Sequence, residues 1–195
     1  MRIIESSSPR IESTLGYLGI NQKEAKLVFI GLEDSGKTSL LHILKDKRLI
    51  QVVSNKYPQP EECVMDNIRY RIFDLSGHQS ARKLWREYIM HVNAIVFLVD
   101  SADRDRFHIA REELHELLES EDFQSIPFLI LGNKIDLPSS ASEDELRYYL
   151  GLEAYQTNTD AKKKQGARHV GLFMCSVRKR SGYSDGFKWI NQYLS

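Results

Sequence analysis

The stretch Phe29–Leu44, FIGLEDSGKTSLLHIL, joins a short apolar run to a helical pattern through a loop with two glycines. Within it, Gly31, Gly36, Lys37 and Thr38 have the spacing G-x-x-x-x-G-K-[ST] of a phosphate-binding loop, in the strand-to-helix context that this motif requires. Backbone N–H groups and the helix N-terminus would face a phosphate, Lys37 would add a positive charge, and the Thr38 hydroxyl is a candidate Mg²⁺ ligand. The same stretch supplies the remaining predicted nucleotide contacts, Asp34, Ser35 and Ser39.

Outward from this junction, the chain alternates short apolar runs with helical patterns. The runs are typical of strands buried on both faces, and they are KLVFI (26–30), YRIFD (70–74), AIVFLVD (94–100), PFLILGN (127–133) and GLFMCSV (171–177). The helical patterns are marked by Leu40, Leu41 and Leu44, by Leu84, Tyr88 and Ile89, by Phe107, Leu114, Leu117 and Leu118, by Leu146 and Leu150, and by Phe187, Ile190 and Leu194. This alternation predicts an α/β fold with a mostly parallel sheet of about six strands, helices on both faces, and a ligand site at the carboxyl ends of the strands.

The stretch GNKID follows one of the apolar runs and supplies a candidate reader of the base. The carboxylate of Asp136 can accept hydrogen bonds from N1–H and the N2 amino group of guanine, whereas adenine offers neither donor at that edge. The aliphatic stem of Lys134 can lie on the base, and Asn133 can tie this loop to the phosphate loop. The two motifs together predict a site for GTP and GDP rather than for ATP.

A third element, FDLSGH, follows another apolar run and contains Asp74 and Gly77. We expect Asp74 to reach Mg²⁺ through a water molecule and the Gly77 N–H to contact the γ-phosphate, so that this turn senses the third phosphate. At the end of the last run, Cys175, Ser176 and Val177 stand where a backbone N–H can donate to guanine O6.

Composition limits the classes of function. The chain has 195 residues, 42% hydrophobic and 28% charged side chains, and a formal net charge of zero, which together indicate one globular domain. Because no bulk field attracts it to nucleic acid, we expect no nucleic-acid partner. The N-terminus lacks the apolar core of a signal peptide, and the longest apolar run is too short to span a bilayer. We therefore expect a cytoplasmic or peripheral protein.

The stretches GLEDSGKT, FDLSGH, NKID and MCSVRKRSGY together resemble the Sar-type small GTPases, relatives of the ADP-ribosylation factors that start COPII coat assembly. This resemblance covers the chain from about Lys26 onward. It implies a P-loop GTPase fold and slow hydrolysis of GTP by a switch on the cytosolic face of the endoplasmic reticulum membrane, with the Golgi as a further location. It also implies an exchange factor in that membrane and inner COPII coat subunits, one of which accelerates hydrolysis. His78 stands where relatives carry the residue that orients the attacking water, so it is the predicted catalytic residue.

Two parts are expected in the chain: an N-terminal amphipathic arm of residues 1–22 and a GTP-binding domain of residues 23–195. In the arm, Ile11, Leu15 and Leu18 recur at helical spacing behind Ile3 and Ile4, so a short apolar helix can enter the lipid interface. The same stripe can instead pack on its own domain when GDP is bound.

Three departures from the family pattern bear on function. The family's first switch carries a proline–threonine pair whose threonine completes Mg²⁺ coordination, and this chain has Ser54 and Asn55 there. Both offer an oxygen, and Asn55 is the predicted ligand because it needs no shift in register. The second departure is Ser76, in place of the first of two glycines, and the third is an arm milder than the family's aromatic-rich one.

Three functions of different classes remain open on the sequence. The first is a GTPase switch that recruits coat proteins to a membrane. The altered first switch motivates the second, a GTP-binding scaffold with little hydrolysis. The third, a metabolic P-loop kinase, is disfavoured by the GNKID motif.

Overall fold

The computed structural model of the protein describes residues 23–45, 60–155 and 168–194. The predicted membrane-contacting residues Ile3, Ile4, Ile11, Leu15 and Leu18, and the first-switch candidates Ser54 and Asn55, lie outside the described residues. In the part of the chain that is described, no helix has both the length and the apolar character needed to cross a membrane.

Within these described ranges, six strands form one sheet in the order β2-β3-β1-β4-β5-β6. They are β1 (Lys23–Ile30), β2 (Glu61–Met65), β3 (Ile68–Asp74), β4 (Ala94–Asp100), β5 (Phe128–Asn133) and β6 (Val170–Met174). Only the β2–β3 pairing is antiparallel, and the other four are parallel. The prediction of a mostly parallel sheet of about six strands is confirmed.

Strand β2 is the one strand that the apolar runs did not predict. It lies at the edge of the sheet, and only Cys63 of its five residues is buried. This edge strand starts with Glu61 and Glu62 and has no continuous apolar run. Its pairing with β3 is therefore evident from the structure and not from the sequence pattern.

Six α-helices cover the sheet in the described residues: α1 (Lys37–Lys45), α2 (Gln79–Arg82), α3 (Trp85–Ile89), α4 (Phe107–Leu118), α5 (Glu143–Tyr149) and α6 (Tyr183–Ile190). Buried side chains of α1 and α6 pack in one apolar cluster, and those of α3, α4 and α5 pack in a second cluster. Helices therefore lie on both faces, as predicted. The hydroxyl of Ser142 caps α5 by accepting the Glu145 N–H, as the sequence pattern there indicates.

Of the three residues that mark the helical pattern Leu84, Tyr88 and Ile89, Leu84 is wrong as a core residue, whereas Ile89 is buried and Tyr88 packs against the same cluster. Leu84 is 42% exposed, whereas Trp85 is 1% exposed and fills the core with Ile89. The reason is that two short helices, α2 and α3, replace one continuous helix here, so a single helical phase does not apply.

Parallel pairing brings the predicted motifs to one edge of the sheet. The phosphate loop follows β1, FDLSGH begins at the end of β3, and GNKID begins at the end of β5. In register, Phe29 pairs with Asp74 and Asp100 pairs with Asn133. The carboxyl ends of β1, β3, β4, β5 and β6 therefore surround one location, where this class of fold binds its ligands.

Candidate functional site

A cleft of about 740 Å³ opens at this edge of the sheet, and its volume is typical of small-molecule sites. Predicted residues from the phosphate loop line one side, namely Asp34, Gly36, Lys37, Thr38 and Ser39. The other side is lined by Asn133, Lys134, Asp136 and Val177. The two predicted motifs thus face each other across one space.

Lys37 is held at the floor of the phosphate loop. Its side chain is buried, and its Nζ donates to the carbonyl oxygens of Leu32 at 2.8 Å and of Gly31 at 3.1 Å. Burial lowers the pKa of this ammonium group, and the nearby Asp74 carboxylate acts in the opposite direction. A buried cation at the N-terminus of α1 is chemically suited to a phosphate.

Asn133 ties three loops together. Its Nδ2 donates to Ser35 O at 2.8 Å, and its Oδ1 accepts the Val177 N–H at 2.9 Å. Gly36 lies directly beside it with φ of 100°, and a Cβ at this glycine would overlap the Asn133 amide. Glycine is therefore required at position 36 both for its backbone conformation and for this contact.

The Asp136 carboxylate is oriented by Ser176, from the loop after β6. Ser176 Oγ donates to Asp136 Oδ1 at 2.6 Å, and the same Oγ accepts the Lys179 N–H at 2.9 Å. The hydrogen bond from Ser176 lowers the pKa of Asp136, so the group stays an acceptor at neutral pH. A charged acceptor in a fixed orientation is suited to a base edge that presents donors.

Lys134 adopts a left-handed backbone conformation, with φ of 72°. Its Nζ donates to Asp100 Oδ2 at 2.6 Å, which holds the end of the side chain while the residue lines the cleft. Asp34, on the opposite side, also has a positive φ, of 62°. Two strained residues that are not glycine, both lining one cleft, are typical of a functional site.

Three consecutive backbone N–H groups after β6 have acceptors within the protein. Cys175 N donates to Gly132 O at 2.8 Å, Ser176 N donates to Ser181 O at 2.9 Å, and Val177 N donates to Asn133 Oδ1 at 2.9 Å. Burial raises the pKa of Cys175 to about 12, so its thiol is a packing group. Arg178, which sequence reasoning did not single out, lines the cleft next to them.

Thr38 and Asp74 form a pair of oxygen ligands of the kind that Mg²⁺ prefers. Thr38 Oγ1 donates to Asp74 Oδ2 at 2.5 Å, while Asp74 Oδ1 is buried with no hydrogen-bond partner among the described residues. Burial raises the pKa of Asp74, against the effect of the Thr38 hydrogen bond. A buried carboxylate oxygen that accepts no hydrogen bond is suited to a nearby cation, which would compensate its charge. The residues present are therefore compatible with Mg²⁺. The described residues hold no cluster of three His, Cys, Asp or Glu side chains that could bind a metal by itself.

Gly77 and His78 lie beside the phosphate loop. Gly77 is buried, and a Cβ there would overlap the backbone of Gly31, Leu32 and Glu33. His78 projects outward, with its side chain 70% exposed and its Nε2 3.9 Å from Glu33 Oε2. The predicted sensor is therefore packed on the phosphate loop, and the predicted catalytic side chain is next to it in solvent.

Comparisons with known proteins place the chain in a family. The ADP-ribosylation factor family matches residues 11–194. A Giardia intestinalis protein named Small COPII coat GTPase SAR1 is 41% identical over 184 residues, which cover 94% of this chain and 96% of that protein. The Nicotiana tabacum protein of the same name is 40% identical over 92% of this chain and 94% of its own. ADP-ribosylation factor-like protein 1 of Caenorhabditis elegans is 30% identical over 88% of this chain and 90% of its own.

Proposed function

The chain belongs to the ADP-ribosylation factor family and is a small GTPase, and from this premise we propose that it is a Sar-type switch that recruits COPII coat proteins to the endoplasmic reticulum membrane when GTP is bound. The observation that carries the proposal is the connection of the base-reading loop to the phosphate loop through Asn133 and Ser35, because it builds one site for a whole guanine nucleotide. The coat function is supported by the names of the two relatives that are 41% and 40% identical to this chain.

In this proposal, the nucleotide lies with its phosphates on the loop Gly31–Ser39 and its base between Lys134 and the loop after β6. Asp136 accepts from guanine N1–H and N2, with Ser176 holding the carboxylate in place. The donor to guanine O6 is the backbone N–H of Arg178, since the N–H groups of Cys175, Ser176 and Val177 already have acceptors. These three residues then act by shaping the loop.

We propose that Thr38 binds Mg²⁺ directly and that Asp74 binds it through a water molecule, with Asn55 as the first-switch ligand that the sequence favours. When bound, Mg²⁺ would neutralise charge on the outer phosphates. Thr38 and Asp74 supply hard oxygen atoms for this purpose, and their hydrogen bond keeps them adjacent. If nucleotide release from an Asn55→Ala variant keeps the wild-type dependence on Mg²⁺, Asn55 is not a ligand.

The proposed partners follow from the switch function. They are an exchange factor in the endoplasmic reticulum membrane, inner COPII coat subunits including the one that accelerates hydrolysis, and the cytosolic membrane surface itself, with the Golgi as a further location. A switch responds to GTP only if its two forms differ in affinity for these partners.

The arm offers a direct test of membrane binding. Because the net charge is zero, binding must depend on the apolar area of residues such as Ile11, Leu15 and Leu18, so it should be weak and should favour curved vesicles. In liposome flotation, we expect full-length protein loaded with a non-hydrolysable GTP analogue to float, and the GDP form to float several-fold less. Protein lacking residues 2–22 should remain at the bottom in both forms, and equal flotation of this truncated protein would exclude the arm's role.

A further inference from the structure

Two side chains from the helices after FDLSGH hold the peptide groups on either side of Gly77. Trp85 Nε1 donates to Ser76 O at 3.1 Å, and Arg82 Nε donates to Gly77 O at 2.9 Å. In a trans peptide, the C=O of one residue and the N–H of the next lie in one plane and point in opposite directions. The hydrogen bond from Trp85 therefore sets the direction of the Gly77 N–H. The hydrogen bond from Arg82 sets the plane of the next peptide group, between Gly77 and His78.

Arg82 is in turn held by α4. Its Nη1 donates to Glu113 Oε1 at 2.8 Å, and the two side chains are only 12% and 24% exposed. A charge-assisted pair with this little exposure is screened less by solvent than a surface ion pair is. Glu113 therefore connects the Gly77 carbonyl, through Arg82, to a helix that is packed on the core.

A second arginine–glutamate pair joins α3 to α4, and no hydrogen bond to Gly77 is described for its arginine. Arg86 on α3 lies 3.5 Å from Glu116 Oε1 on α4, and their side chains are 46% and 66% exposed. The Arg86 guanidinium lies over the Phe123 ring. Arg86 therefore supplies a matched control for a change of charge between these two elements.

We propose that Arg82, held by Glu113, is a positioning residue of the γ-phosphate sensor: it keeps Gly77 against the phosphate loop with its N–H directed to the third phosphate. This inference rests on the proposed role of Gly77. Because GDP has no γ-phosphate for that N–H to meet, loss of the Arg82 bond must weaken GTP binding more than GDP binding. A merely structural arginine would affect the two nucleotides alike.

The test compares dissociation constants of full-length protein for a non-hydrolysable GTP analogue and for GDP, both with Mg²⁺ present. In Arg82→Gln, we expect the ratio of the analogue constant to the GDP constant to rise about tenfold, and in Arg86→Gln to stay within about twofold of wild type. Glu113→Gln should raise the same ratio by a smaller factor, and it replaces Arg82→Gln as the test if Arg82→Gln does not fold. Equal weakening of both nucleotides, or an unchanged ratio in Arg82→Gln and Glu113→Gln, would overturn the inference.

A Gly77→Ala variant separates this inference from the function on which it rests. Its added methyl group would overlap the phosphate-loop backbone, so residue 77 must move away from that loop together with its N–H. Because only the analogue has a γ-phosphate for that N–H, the analogue should lose more affinity than GDP does. If Gly77→Ala keeps the wild-type ratio, the proposed sensor role of Gly77 is wrong. If Gly77→Ala shows the selective loss and the Arg82 and Glu113 variants do not, only the role of Arg82 is wrong.

Discussion

Replacing Asp136 with asparagine is expected to lower GDP and GTP affinity at least about a hundredfold, because a carboxylate that accepts two guanine donors is replaced by an amide that presents a donor of its own. The structure adds a reason for the size of this effect. Ser176 donates to Asp136 Oδ1. The same hydrogen bond to the amide oxygen of the variant would leave its N–H₂ group facing the donors of guanine. Equilibrium titration of nucleotide-free protein with labelled GDP measures the loss.

A change of base separates lost selectivity from lost folding. Xanthine carries a carbonyl where guanine has its N2 amino group, and the amide N–H₂ of the Asp136→Asn side chain can donate to that carbonyl. We therefore expect the variant to bind xanthosine diphosphate more tightly than the wild type does. Asp185→Asn, at an exposed position of α6 paired with Lys188, is the matched control and should bind as wild type. Unchanged GDP affinity in Asp136→Asn would show that this carboxylate does not read the base.

Replacing His78 with glycine is expected to lower GTP hydrolysis about a hundredfold in the presence of the proposed activating coat subunit, at the low end of the range for a positioned acid or base. His78 adjoins Gly77 and is exposed, so its ring is free to enter the site when a partner approaches. Nucleotide binding should be unchanged, because the phosphate contacts come from other residues. Single-turnover hydrolysis of preloaded GTP separates the chemical step from exchange.

The control for this variant is His91→Gly. His91 is also exposed and lies in the turn after α3, so the same substitution there tests the general effect of a flexible residue. It should leave stimulated hydrolysis unchanged. If His78→Gly hydrolyses GTP at the wild-type rate with the coat subunit, another group orients the water.

The parts of the site that the sequence predicted are those whose chemistry is contained in a few consecutive residues. Gly36 needs its conformation and Lys37 its charge within one loop, and Asn133, Lys134 and Asp136 stand within four positions of one another. The apolar runs located β1, β3, β4, β5 and β6, and the signal has its clearest physical reason in the central strands β4 and β5, which are buried on both faces except at Asp100. Parallel topology then accounts for the meeting of the two motifs at one edge.

What the sequence did not predict depends on contacts between distant residues. The hydrogen bond from the Val177 N–H to Asn133 joins residues 44 positions apart, and it is one reason for proposing Arg178 as the donor to guanine O6. The contact of Arg82 with Glu113 spans 31 positions, and no local pattern marks it. The burial of Trp85 in place of Leu84 depends on a break between two short helices, which periodicity does not detect.

Recruitment of inner COPII coat proteins to liposomes is the measurement that tests the central claim most directly. The full-length protein is loaded with GDP or with a non-hydrolysable GTP analogue, mixed with purified inner coat proteins and liposomes, and the coat in the floating fraction is measured. A GTP-driven Sar-type switch predicts that coat proteins float with the analogue form and remain behind with the GDP form. Equal recruitment by both forms, or none by the analogue form when the protein itself floats, would contradict the account.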